Sequence, residues 1–127
     1  MIDEVRSNKL RVTTHIDNCT LHIATSNTFQ YTDPFLVSGY EYFAVYIKPS
    51  ETTTLNITAE YSPFFYGEEW CDGCATGYIT VVSGLSVYAN KWVVLPLNPY
   101  SSIWGRLCIL SSAVCDIEVK IARQIAQ

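Results

Sequence analysis

The residues best suited by type and spacing to do chemistry are cysteines: there are five, and four of them fall into two pairs. Cys71-Asp72-Gly73-Cys74 has the two-residue gap of a zinc knuckle, whereas Cys108 and Cys115 are six residues apart on successive strand-like runs. Four thiolates in two pairs suit tetrahedral zinc, which would tie Cys71 and Cys74 to Cys108 and Cys115. Each pair can instead close locally as a disulfide, and Cys108 and Cys115 can also be plain buried thiols. If Ser111-Ser112 is a two-residue loop, Cys108 lies directly opposite Cys115 and a cross-strand bridge is permitted. A three-residue loop misaligns the pair, yet it better places Leu107, Ile109, Cys115 and Ile117 on one face. The sequence leaves both registers open. We expect no structural metal and at least one of the two local disulfides. Redox catalysis at the CxxC is not expected, because that chemistry normally sits at a helix start in an α/β context. Cys19, left over, is most simply a small buried apolar group.

Other chemistry is sparse. Glu68, Glu69 and Asp72 offer neighbouring carboxylates that could in principle do acid–base work or hold calcium, but we read them as a solvated loop tip. His15 and His22 have no acid–nucleophile arrangement near them in sequence, and GxSxG, HExxH and phosphate-loop motifs are absent. No catalytic constellation and no cofactor site can be assembled. Tyr61, Phe64, Phe65, Tyr66 and Trp70 concentrate aromatic rings around one segment. Such rings anchor protein interfaces, stack on sugars, or fold back as a lid. We expect a subunit interface, with a lid over the sandwich end and glycan contact as the alternatives.

The elements that must position these groups are strands. A chain of 127 residues is one domain by size, and 49% hydrophobic with 16% charged residues implies extensive burial. Eight Lys and Arg against twelve Asp and Glu give a net charge of −4 with no basic cluster, which argues against nucleic acid as a partner. No apolar run approaches the roughly 20 residues of a membrane helix. The opening MIDEVRSNKLRV lacks the apolar centre of a signal peptide, so a soluble product assembled in a cytoplasm is expected. The two glycosylation sequons at Asn18 and Asn56 are then chance matches.

The stretch Val37–Ser62 organises the rest. Phe43, Val45 and Ile47 alternate with Ala44, Tyr46 and Lys48; Leu55, Ile57, Ala59 and Tyr61 alternate with Asn56, Thr58, Glu60 and Ser62. Period two gives each run a core face and a wetter face. Pro49 and the Thr-rich segment after it predict a reversal, hence a central hairpin. Further strands are predicted over Lys9–Thr13 and Thr20–Thr25, with a turn at Asp17-Asn18, and at Phe35–Val37. Others follow at Tyr78–Ser83, Leu85–Ala89, Lys91–Leu97, Ile103–Leu110 and Val114–Ile125. Asn27–Asp33 is a loop or short edge strand, and Pro96 confines its strand to an edge or an end. The last strand should place Ile117, Val119, Ile121 and Ile125 on one face. Residues 1–8 are an arm and residues 9–127 a single all-β antiparallel β-sandwich or jelly roll.

The order VSGY, YFAVYI, ITAEYS, Trp70, GLS, NKWVVLPLNP, RLCI and a closing IEVKIARQ resembles small tailed-phage virion proteins of the head-decoration or accessory type, over about Phe35 to Gln124. Those proteins often carry a short Asp-Gly turn where this chain has the longer, aromatic Pro63–Glu69 and a cysteine pair. The resemblance implies a non-enzymatic bacteriophage structural protein. It would be located in the virion, be homo-oligomeric and bind a capsid lattice or other virion proteins. A carbohydrate-binding module and a fibre or tail appendage are the alternatives.

Overall fold

The computed structural model describes residues 12–62, 77–97 and 103–126. Within them the chain forms nine strands and no helix: β1 Val12–Ile23, β2 Thr28–Tyr31, β3 Phe35–Leu36, β4 Tyr42–Pro49, β5 Thr53–Ser62, β6 Gly77–Val87, β7 Val93–Leu97, β8 Trp104–Ser111 and β9 Cys115–Ala126. They build two antiparallel sheets. Sheet A has the order β1-β9-β4-β7; sheet B has β2-β8-β5-β6, with β3 continuing the β2 side of β8. These interleaved orders are those of a jelly roll, two Greek keys wrapped into a sandwich. The predicted fold class holds.

The expected central hairpin does not form. β4 pairs with β7 and β9 in sheet A, whereas β5 pairs with β6 and β8 in sheet B. The chain does reverse after Pro49, but into the opposite layer. Alternation is blind to this difference, because an arch between sheets and a hairpin within one both keep apolar residues on a single face. In the arch those faces meet. Ile47 and Val45 of β4 and Ile117 and Val119 of β9 pack across from Leu55 and Ile57 of β5 and Leu107 and Ile109 of β8, all fully buried. Each such side chain contributes about 1.5–3 kcal/mol on burial.

β8 and β9 likewise lie in different sheets, so Ser111-Ser112 is a second arch and not the tight hairpin turn expected. Four connections (β1–β2, β4–β5, β6–β7 and β8–β9) cross at this one end. Their polar groups are knitted together. Thr53 Oγ1 and Ser111 Oγ are 2.7 Å apart and buried, Ala113 N donates to Thr53 Oγ1 at 3.1 Å, and Ser111 Oγ donates to the Ala113 carbonyl at 2.8 Å. Ser112 N donates to the Thr54 carbonyl at 3.0 Å, Ser50 N to that of Asp116 at 2.8 Å, and Asn90 N to that of Pro49 at 2.7 Å.

Smaller departures have local causes. β1 is one twelve-residue strand: Asp17 and Asn18 continue it opposite Ile121 and Lys120 rather than turning. Ser83-Gly84 is a bulge inside β6, with Gly84 at φ +69° and its N–H donating to Asn56 Oδ1 at 2.7 Å. β6 is an edge strand, where bulges are tolerated. Pro96 lies on β7, the other edge of sheet A, as expected. Ile117, Val119 and Ile121 face inward together, but Arg123 continues their series and closes the far end of the core. It donates to the Leu36 carbonyl at 2.7 Å, pairs with Asp17 at 2.9 Å and lies over the Tyr40 ring.

If the crossing end holds the layers together, losing one of its buried hydroxyls costs more than a surface hydroxyl would. We expect Thr53→Val to lower unfolding stability by about 1–3 kcal/mol, because Ala113 N and the Ser111 hydroxyl lose a partner. Urea denaturation at unchanged m-value checks this; a loss within the surface range of about ±0.5 kcal/mol would contradict it.

Candidate interaction surface

The two predicted cysteine pairs do not assemble into a site. Cys108 pairs in register with Tyr31 and Thr58 of sheet B and lies on that sheet's outer side, while Leu107 and Ile109 beside it point inward. Cys115 opens β9 in sheet A, faces the core, and has its sulfur 3.6 Å from Ser111 Oγ. Both are free thiols, as is Cys19. The expected Cys108–Cys115 disulfide is therefore corrected: the two strands are not neighbours, and the side chains stand on opposite sides of sheet B. The same separation keeps them from sharing a zinc ion. Cys71 and Cys74 lie outside the described residues. Among the described residues no cluster of three or more His, Cys, Asp or Glu is arranged to hold a metal ion.

Phe64, Phe65, Tyr66 and Trp70, expected at an interface, also lie outside the described residues. Tyr61 is described, and it is 3% exposed. Its register partner on β8 is Gly105, which Phe35 flanks on the other side. A Cβ on Gly105 would come within 3.0 Å of both rings, so the glycine provides the space in which they pack. Tyr61 is thus a core residue of this chain.

What the sequence did not single out is the outer face of sheet A. Its register sets residues in rows across β1, β9, β4 and β7: Thr14, Gln124 and Tyr42; Ile16, Ala122, Ala44 and Pro96; Asn18, Lys120, Tyr46 and Val94; Thr20, Glu118 and Lys48, with Trp92 just before β7. Tyr42 is 58% exposed, Ile16 55%, Val94 54%, Trp92 44% and Tyr46 41%. Half of the large exposed hydrophobic side chains among the described residues are therefore on this one face. A face of this kind marks an association or ligand site more often than scattered single residues do. The signal was present in YFAVYIKP, where the supposedly wet positions are Tyr42, Ala44 and Tyr46. A strand apolar on both faces asks for cover on both.

The electrostatics of this face are regular. Lys48 Nζ is 3.6 Å from Glu118, and Lys120 Nζ is 3.9 Å from Glu118 and donates to Asn18 Oδ1 at 2.6 Å. Both ammonium groups sit against Trp92, at 4.9 and 5.9 Å from its ring centre. At the crossing end His22 and Asp116 form an exposed pair. Ser50 Oγ accepts from Asp116 N at 2.9 Å and so belongs to the arch.

The outer face of sheet B differs. Arg106 pairs with Glu60 at 3.0 Å and stacks 4.1 Å over Tyr31, with Glu60 itself buried. Burial pushes the Cys108 thiol up, and Glu60 adds to that, while Tyr31 and Arg106 oppose it. Cys108 in turn is the main cause of a raised Tyr31 hydroxyl. A thiol held protonated in this way is a poor nucleophile.

Comparison with known proteins follows the fold. No protein-family model matches the chain, and no curated protein matches it in sequence. Among solved structures, the infectious bursal disease virus T13 particle superposes on 93% of this chain and 31% of its own, at 12% identity and a TM-score of 0.60. T=1 particles derived from that virus match over 91% of this chain and 32% of theirs, at 10% identity and 0.55. The CBM22-1–GH10 modules of Clostridium thermocellum xylanase 10B, complexed with xylohexaose, match over 90% and 24%, at 14% identity and 0.50. The chain spans about a third or less of the length of each. At these identities the likeness is one of fold.

Burial pushes the Tyr61 hydroxyl from 10.0 up to about 12. The folded state favours the neutral phenol, so this stabilisation is complete below about pH 10 and is lost as pH rises from there towards about 12. Two pKa units correspond to roughly 2–3 kcal/mol. The stability difference between wild type and Tyr61→Phe, measured by denaturation at about pH 9 and about pH 11.5, should therefore shift against the wild type at the higher pH. A difference that stays constant would place the ring in water.

Proposed function

We propose that the chain is a non-enzymatic structural protein of a virus particle, of the type that decorates a capsid and adds contacts between its subunits. The observation that carries this reading is the outer face of sheet A, with Tyr42, Tyr46, Trp92, Val94 and Ile16 exposed on a rigid sheet. The jelly-roll strand order and the fold likeness to capsid proteins support it, as does the resemblance of the strand-and-turn order to tailed-phage accessory proteins. The mechanism is additive burial. A specific interface covers about 800 Å² per partner, and a protein that binds only the assembled shell stabilises it by mass action.

A carbohydrate-binding role is the second reading, favoured by the exposed rings of Trp92 and Tyr46 and by the xylanase-associated neighbour. At Trp92, Lys48 and Lys120 weigh against it, because their ammonium groups already lie over that ring.

Co-sedimentation with empty capsids of the virus that carries the gene separates the two readings. We expect the wild type to pellet with capsids, and Ala44→Arg, which puts a long charged side chain in the middle of the face, to stay largely in the supernatant with its fold intact. Failure of the wild type to bind any capsid, together with a glycan-array signal lost in Trp92→Ala, would replace the virion reading with the carbohydrate one.

A further inference from the structure

The rows of sheet A also say what this face fits. The pattern is its own complement about one axis. Take a two-fold axis in the plane of contact, parallel to the strands and running between β9 and β4. It lays β9 of one copy against β4 of a second. Glu118 then meets the second copy's Lys48 and Lys48 meets its Glu118, because the two share a row. One row along, Lys120 meets the face of Tyr46, and in the next Ala122 meets Ala44, with Ile16 against Pro96 at the margins. Opposite charges, a cation on an aromatic ring, and small apolar groups on small apolar groups are all matched at once. Sheets packed face to face keep their strands within about 30° of each other, so an axis along the strands is compatible with ordinary sheet packing.

An axis perpendicular to the strands does worse. It sets Lys120 against its own copy or, displaced by half a row, puts Ile16 and Ala122 against His22 and Asp116. We infer that the outer face of sheet A pairs with a second copy of this chain in an isologous two-fold dimer, with Lys48 and Glu118 forming a four-charge cluster across the axis. The face measures roughly 14 Å between its outer strands and roughly 27 Å from Thr14 to His22, at the small end of specific interfaces, where association is reversible. The inference rests on the virion reading of this face as the association surface and names a second copy as what covers it, so that capsid binding belongs to the dimer and Ala44→Arg acts through loss of the dimer.

The test uses two single variants of the full chain, Lys48→Glu and Glu118→Lys, followed by sedimentation velocity. Each alone faces like charges across the axis, and we expect each to weaken self-association by about tenfold or more. Both should still fold, checked by circular dichroism, because an exposed ion pair within one chain contributes little. Mixed in equal amounts, one chain brings two carboxylates to the contact and the other two ammonium groups, so a heterodimer of near wild-type affinity should form. Wild type that stays monomeric at its highest soluble concentration overturns the inference. So does a mixture that associates no better than Lys48→Glu alone, since about the displaced perpendicular axis that variant keeps both Lys120–Glu118 contacts and the mixture keeps one. Capsid co-sedimentation is scored separately. A monomeric chain that still pellets with capsids overturns the pairing and leaves the virion reading standing; a dimer that binds no capsid supports the pairing and removes the decoration reading.

Discussion

The buried hydroxyl pair of Thr53 and Ser111 is the contact on which the architecture turns. It lies where β5 leaves one arch and β8 enters the next, so it joins two separate crossings between the sheets. Both oxygens are removed from water; Thr53 accepts from Ala113 N of the other crossing, while Ser111 donates to the Ala113 carbonyl within its own arch. A buried hydroxyl without partners is costly, so this network admits few alternative arrangements of the arches. With the arches fixed, the inward sets of β4, β9, β5 and β8 must face one another. The core then follows from ordinary burial.

That arrangement has a second consequence. A sandwich has two inner faces, which the core consumes, and two outer faces, which it leaves to solvent or to partners. Sheet B covers part of its outer face with its own groups, as Glu60, Arg106, Tyr31 and Cys108 lean on one another. Sheet A keeps its apolar groups open, with the charges of Lys48, Lys120 and Glu118 beside them and not over Tyr42, Ile16 or Val94. Sheet A thus carries the larger share of the exposed apolar side chains, although Phe29, Tyr31 and Tyr78 stay exposed on sheet B.

Strand positions were legible in the sequence because alternation reports them directly. Leu55, Ile57, Ala59 and Tyr61 do share the core face, and so do Ile117, Val119 and Ile121. Pairing was not legible, since an arch and a hairpin impose the same alternation, and this one ambiguity accounts for both the false central hairpin and the false Cys108–Cys115 bridge. Turn chemistry also misled where a strand could absorb it. Asp17 stays exposed on β1 and is paired with Arg123, and Gly84 is held in a bulge by Asn56. The apolar outer face of sheet A was missed for a different reason. Cysteines and a cluster of loop aromatics stood out as sites, while Ala44 and Tyr46 passed with Lys48 as the wet side of a strand. Their apolar character was the available sign.

The central claim is that sheet A, and not sheet B, is the face by which the chain associates. Hydroxyl-radical footprinting of the chain free and in its assembled form tests it at the level of single side chains. The account expects Tyr42, Tyr46 and Trp92 to lose labelling on assembly, while Phe29 and Tyr78, exposed on sheet B, keep theirs. Protection of Phe29 and Tyr78 with Tyr42, Tyr46 and Trp92 unchanged would contradict it.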